Sequence, residues 1–176
     1  MRARLARGKH LLPTIALTPA YPDPKFCKYE EINLVEGTDT DSSVVFSAEF
    51  GREWDSVMRH EKIRFVPGGQ FSKKFHEFAV MWRPQKIEWF VDDLLVYSLP
   101  TTHYSDWILP DESNVPCSQN KKLFQQYMRL TINLPIGGPK VPFPHIYDAN
   151  SSVTMDSPKE WPKSSMEIDW VKVYQY

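Results

Sequence analysis

Glu31-Ile32-Asn33-Leu34-Val35-Glu36 is the stretch of this chain with the most chemistry in it. Two glutamates flank an amide, and the apolar Ile32 and Leu34 alternate with Glu31 and Asn33. An extended strand with this alternation buries one face and turns its polar set to the other. Two carboxyls converging over a cleft are the minimum for cleaving a glycosidic bond, one as nucleophile and one as proton donor. The spacing is awkward, because Glu36 lies an odd number of residues after Glu31 and a regular strand would send it to the opposite face. A β-bulge between Asn33 and Glu36 brings it back, and bulges are frequent beside active sites. The plain alternative is a solvated strand face carrying two unrelated glutamates. On six residues alone that is the better reading, because short motifs recur by chance.

The elements around this stretch must hold it in place. Residues 2–7 and 10–17 read as strands, the first from the alternation of Arg2, Ala3, Arg4 and Leu5, the second broken by Pro13 into an edge or bulged piece. Pro19, Pro22 and Pro24 mark a loop, and residues 29–36 form the strand with the glutamates. Residues 37–43 are a polar turn, followed by strands over 44–50 and 59–65 and a turn at Pro67-Gly68-Gly69. Residues 75–82 alternate well and meet a turn at Arg83-Pro84. The runs 87–91 and 94–98 flank Asp92-Asp93, the best hairpin signal in the chain. Residues 100–122 read as an irregular loop, 128–135 as a strand ended by Gly137-Gly138, and 166–174 as a closing strand. The long polar, proline-rich stretch 139–163 is unusual unless it lines a site. Short strands separated by turn signals predict an all-β sandwich, with no repeat, heptad or domain linker.

Composition narrows the classes. The chain's 176 residues make one domain's worth of core. A net charge of -1 gives no electrostatic case for nucleic acid or an anionic membrane, and no apolar run reaches the length of a membrane span. Aromatic residues make up 14% of the chain, which suits both a β-rich core and platforms for the apolar faces of sugars. Cys27 and Cys117 are free thiols by default, and their sequence separation neither supports nor forbids a bridge. His10, His60, His103 and His145 lack ligand spacing, so no transition-metal site is read. The basic start is not followed by the apolar segment of a secretory leader.

Five segments, in order, resemble glycoside hydrolase family 16, the laminarinase-like β-glucanases. The family's E-[IL]-D-x-x-E strand is matched by residues 31–36. Its R-A-K-L-P-x-G-K-G-L-W-P segment is matched by Arg2-Ala-Arg-Leu-Ala-Arg-Gly-Lys9 and Leu12-Pro13. Phe75-His76 to Trp82-Arg-Pro84 with Ile87 to Asp92 resembles F-H-x-Y-A-x-E-W-x-P…I-x-F-Y-V-D-G, and Leu130-Thr-Ile-Asn133 to Gly138 resembles L-x-L-N-x-A-V-G-G. The end, Trp161-Pro162 and Ser165-Met166 to Gln175, resembles W-P…S-M-x-V-D-Y-V-R-V-Y-Q.

The resemblance implies a concanavalin A-like jelly-roll sandwich formed by residues 1–176 as a single domain. It also implies that the chain lacks upstream strands of that fold. The implied activity is retaining endo-hydrolysis of a β-1,3-linked glucan, with Glu31 as nucleophile and Glu36 as acid/base. Retention needs the two carboxyls about 5 Å apart. Like charges that close keep one carboxyl protonated, which suits Glu36 as the acid. His76, Asn133, Trp161 and Phe26 are the implied substrate contacts, while Trp82 and Trp89 read as packing. No cofactor is required. A structural calcium on the convex side is implied, with Asp169 at a position that can contribute. The implied partner is a polysaccharide outside the cell, bound by a monomer. A glucan-binding protein on the same fold with little turnover is the alternative, and a truncated copy without function is a third.

The departures bear on activity more than on fold. Asn33 stands where the family has Asp, which keeps the reach and removes a charge. That loss is expected to make Glu36 a poorer acid and Glu31 a weaker nucleophile, with a slower reaction, an acid-shifted optimum and a gain on Asn33→Asp. Leu12 and Ala16 replace tryptophans, Phe26 replaces a tryptophan before the strand, and Met81 replaces a glutamate. Glu30 replaces a glycine, which is expected to add a charge beside the site.

Overall fold

The computed structural model describes residues 1–8, 10–21, 29–38, 40–51, 57–65, 68–101, 123–136, 159 and 161–175. Cys27, Cys117, Phe26, His103, His145 and most of the two long loops lie outside the described residues.

Ten strands make two antiparallel sheets: β1 Arg2–Arg4, β2 Thr14–Pro19, β3 Tyr29–Gly37, β4 Ser43–Gly51, β5 Val57–Phe65, β6 His76–Arg83, β7 Lys86–Val91, β8 Leu94–Pro100, β9 Met128–Asn133 and β10 Glu167–Trp170. One sheet runs β10-β1-β6-β7-β8 and the other β5-β4-β3-β2-β9. The two expected strands at the start are shorter than read: Pro13 cannot donate to a ladder, and β2 begins after it. Asp92 and Asp93 both have positive φ (48° and 65°), the geometry of a tight two-residue hairpin between β7 and β8.

Alternation explains how the sheets pack. Val44, Phe46, Ala48 and Phe50 of β4 enter the core, as do Ile15 of β2 and Ile32 of β3. From the facing sheet come Phe78, Ile87, Trp89 and Val91, so two apolar inner faces interdigitate as in a sandwich. A fully buried aromatic of this kind contributes on the order of 2 kcal/mol by area alone. Gly37 closes β3 at a point where bulk is excluded. A Cβ there would lie 2.4 Å from Pro13 Cγ, and its N–H donates to the Pro13 carbonyl at 2.8 Å. No helix among the described residues is long and apolar enough to cross a membrane.

Candidate active site

β3 carries the expected bulge. Against β4 the pairs are Glu31 with Glu49, Ile32 with Ala48 and Asn33 with Ser47, and then Glu36 with Val45. Three steps along β3 from Asn33 therefore answer two along β4. The register with β2 slips at the same place, between Ile15 and Ala16. Consecutive Leu34 and Val35 both join the core, which a regular strand cannot do. Glu36 is thereby returned to the face of Glu31 and Asn33.

Hydrogen bonds confirm that face. Asn33 Nδ2 donates to Ser47 Oγ at 2.9 Å and to Glu49 Oε1 at 3.4 Å, and Ser47 Oγ donates to Glu36 Oε2 at 3.1 Å. Tyr29 Oη donates to Glu31 Oε2 at 2.8 Å. Glu31 is half-buried, while Asn33, Glu36 and Glu49 are only 1%, 4% and 8% exposed, although they point away from the core. Ala16 pairs with Asn33, and Thr14 with Glu36, so β2 adds a small floor to the carboxylates. On the other side, β5 places Arg59 opposite Glu49 and Glu61 opposite Ser47. A half-exposed carboxyl near a buried one, with small neighbours, can present a nucleophile and a proton donor to one bond.

Asn133 stands opposite Thr14, which itself stands opposite Glu36. It therefore lies in the same cross-strand row, and it is exposed. Trp161 is half-buried against Gly8, whose Cβ, if present, would lie 2.5 Å from its ring. His76 belongs to the opposite sheet. It is buried against Phe71, with Nδ1 2.7 Å from Asp92 Oδ2 and Nε2 2.8 Å from the Gly69 carbonyl. Both ring nitrogens are thus committed to protein acceptors. This corrects the expectation that His76 lines the carboxylate face: its cross-strand partner is Ala3 of β1. Glu30 is also corrected. It turns to the other side of β3, is 1% exposed, and accepts from Gln126 Nε2 at 2.7 Å, so it adds no charge beside Glu31.

Tyr29, Ser47 and Glu49 are the site residues that sequence reasoning missed. The signal was present: β4 alternates apolar residues at 44, 46, 48 and 50, which leaves Ser47 and Glu49 on the opposite face. Asp169, the residue implied for a calcium, accepts at Oδ2 from Arg2 Nη1. No cluster of three metal-ligating side chains occurs among the described residues.

The model of "Glycosyl hydrolases family 16" matches residues 30–116, which include β4 and all of β3 but Tyr29. The chain is 25% identical over 179 residues to a β-glucanase of Rhodothermus marinus, covering 100% of this chain and 56% of that protein. It is 26% identical to glucan endo-1,3-β-glucosidase A1 of Niallia circulans, covering 99% of this chain and 23% of that one. Its fold is similar to the laminarinase catalytic domain of Thermotoga maritima, with a TM-score of 0.60 and 22% identity over 84% of this chain and 56% of that one. The chain therefore spans about half the length, or less, of these relatives. The likeness in structure establishes the jelly-roll sandwich.

Proposed function

We propose that this chain, whose residues 30–116 match the model of glycosyl hydrolases family 16, is the cleft-forming part of a retaining endo-hydrolase of β-1,3-linked glucans. The observation that carries this reading is the bulged register that gathers Glu31, Asn33 and Glu36 with Ser47 and Glu49. Glu31, oriented by Tyr29, attacks the anomeric carbon while Glu36 gives its proton to the leaving oxygen. The glycosidic C–O bond breaks as an ester to Glu31 forms. Glu36, now a carboxylate, takes a proton from water as the water attacks that ester and frees Glu31. Asn133, in the row that continues from Glu36 through Thr14, reaches the same sugar chain, and Trp161 and Phe26 are its aromatic contacts.

The names of the relatives support the linkage, since one is a glucan endo-1,3-β-glucosidase. A neutral polysaccharide also suits a chain of net charge -1. We read residues 1–176 as one domain of this family, acting as a monomer outside the cell.

The test is release of reducing ends from laminarin by the native chain and by Glu31→Gln. Turnover that the substitution reduces about a thousandfold or more supports the reading. Turnover that Glu31→Gln leaves intact overturns it. Laminarin binding with no turnover in the native chain replaces it with a glucan-binding protein.

A further inference from the structure

The bulge in β3 is latched from the opposite sheet. Trp89, on β7, is completely buried, and its indole Nε1–H donates to the backbone carbonyl of Asn33 at 2.7 Å. Its ring is fixed by stacking on Tyr97 of β8, with centroids 4.9 Å apart and planes 21° apart. In a regular strand the carbonyls lie in the plane of the sheet and point to neighbouring strands. A carbonyl that accepts from a side chain of the facing sheet has turned out of that plane, toward the core. Asn33 is the residue at which this happens, and it is the last one in step with β4 before the register slips.

We infer that Trp89 is a positioning residue for Glu36: its N–H selects the bulged conformation that turns this carboxyl to the face of Glu31. The inference rests on the reading of Glu31 and Glu36 as the reacting pair. Its physical basis is that a buried carbonyl without a donor is costly. With the indole N–H in place, the rotated peptide after Asn33 is satisfied and the extra residue is accommodated. Without it, the carbonyl returns to the ladder, and residues beyond Asn33 shift by one position. A one-residue shift exchanges the faces, so Glu36 swings toward the core. Glu31 lies before the slip, in step with Glu49, and keeps its place. Loss of the N–H therefore separates two roles that share one strand. The proton donor is displaced and the nucleophile is spared.

Ordinary packing predicts something else. A buried tryptophan commonly finds a partner for its N–H, and such a residue serves stability alone. The discriminating experiment replaces only the N–H. Benzothienylalanine introduced at position 89 keeps both rings and puts sulfur where the nitrogen was, and Trp89→Phe serves as the second, genetically simple variant. Each is compared with the native chain on laminarin and on a dinitrophenyl β-glycoside of a short β-1,3-glucan, whose leaving group needs no proton. The expected result is a fall in kcat/KM on laminarin of about tenfold or more and a change of less than about threefold in kcat/KM on the dinitrophenyl substrate, because kcat/KM runs only to formation of the ester and leaves out the later step in which Glu36 is the base. Equal losses on both substrates, or no loss on either, would overturn the inference.

Amide hydrogen exchange gives a readout that does not need turnover. The protection of residues 34–36 should change in the variants, while residues 30–32 keep theirs. Unchanged protection at 34–36 counts against the latch. If the native chain lacks turnover, that failure belongs to the proposed hydrolysis, and the exchange pattern still decides the role of Trp89.

Discussion

Two sets of carboxylates in this molecule differ in burial and in place. At the edge where β1 meets β10, an exposed and a half-buried carboxylate are matched to cations: Asp169 to Arg2, and Glu167 to both Arg4 and Lys163. On the β3–β4 face, Glu36 and Glu49 are buried and Glu31 half-buried, and their donors include a phenol, an amide and a hydroxyl. Exposed pairs of the first kind join a strand edge cheaply and add little. Buried carboxyls of the second kind cost desolvation, and a fold retains such groups where their chemistry is used. The proposed function puts the reacting groups on the β3–β4 face and leaves the β1–β10 edge to structure.

The contrast can be broken most severely by adding charge to the buried set. Asn33→Asp replaces the amide that donates to both Ser47 and Glu49 with an anion facing Glu49. Restoring the family's aspartate alone should therefore lower stability by about 3 kcal/mol at neutral pH. The double variant Asn33→Asp/Glu49→Gln should recover the lost stability, and its pH–rate profile should move away from acid relative to the native chain. Denaturant unfolding of the two single variants and the double variant checks this. Additive effects would show that Asn33 and Glu49 are not coupled.

A smaller effect is expected next to Glu36. Gly37→Ala drives a methyl group into the Pro13 ring and should cost about 2 kcal/mol. It should also reduce kcat more than it raises KM, because Glu36, the proposed proton donor, lies at the end of β3. A melt unchanged from the native chain would mean that the Gly37–Pro13 contact yields freely.

The smallest effect concerns the exposed edge. Hydrogen bonds from Lys163 and Arg4 hold the carboxyl of Glu167 below its ordinary 4.5. A lowered folded value means that this contribution is fully present above 4.5 and is lost as pH falls through the lowered value. Glu167→Gln should therefore flatten the acid limb of the stability–pH curve slightly and leave hydrolysis unchanged at neutral pH. A large loss of activity would contradict its assignment to structure.

Much of the site was legible because its logic is local. The odd offset from Glu31 to Glu36 called for a bulge, and the register shows one between Asn33 and Glu36. Ser47 and Glu49 needed one further step, counting pairs back from the turn that joins β3 to β4. His76 and Glu30 were misplaced for a different reason. Strand alternation says that a residue faces one side or the other, but sheet membership depends on pairings between distant segments. His76 pairs with Ala3, and Glu30 is met by Gln126, contacts that no periodicity foretells. The bond from Trp89 to the Asn33 carbonyl is of the same distant kind, and packing was all its sequence position suggested.

The stereochemistry of the first product tests the account most directly. Proton NMR of laminarin during the initial turnovers reports the anomer released before mutarotation. Glu31 and Glu36 drawn to one face by the bulge predict a β-configured reducing end, the outcome of two displacements with carboxyls about 5 Å apart. An α-configured first product would mean a single displacement by water between more distant carboxyls, and would contradict the shared face of residues 31 and 36.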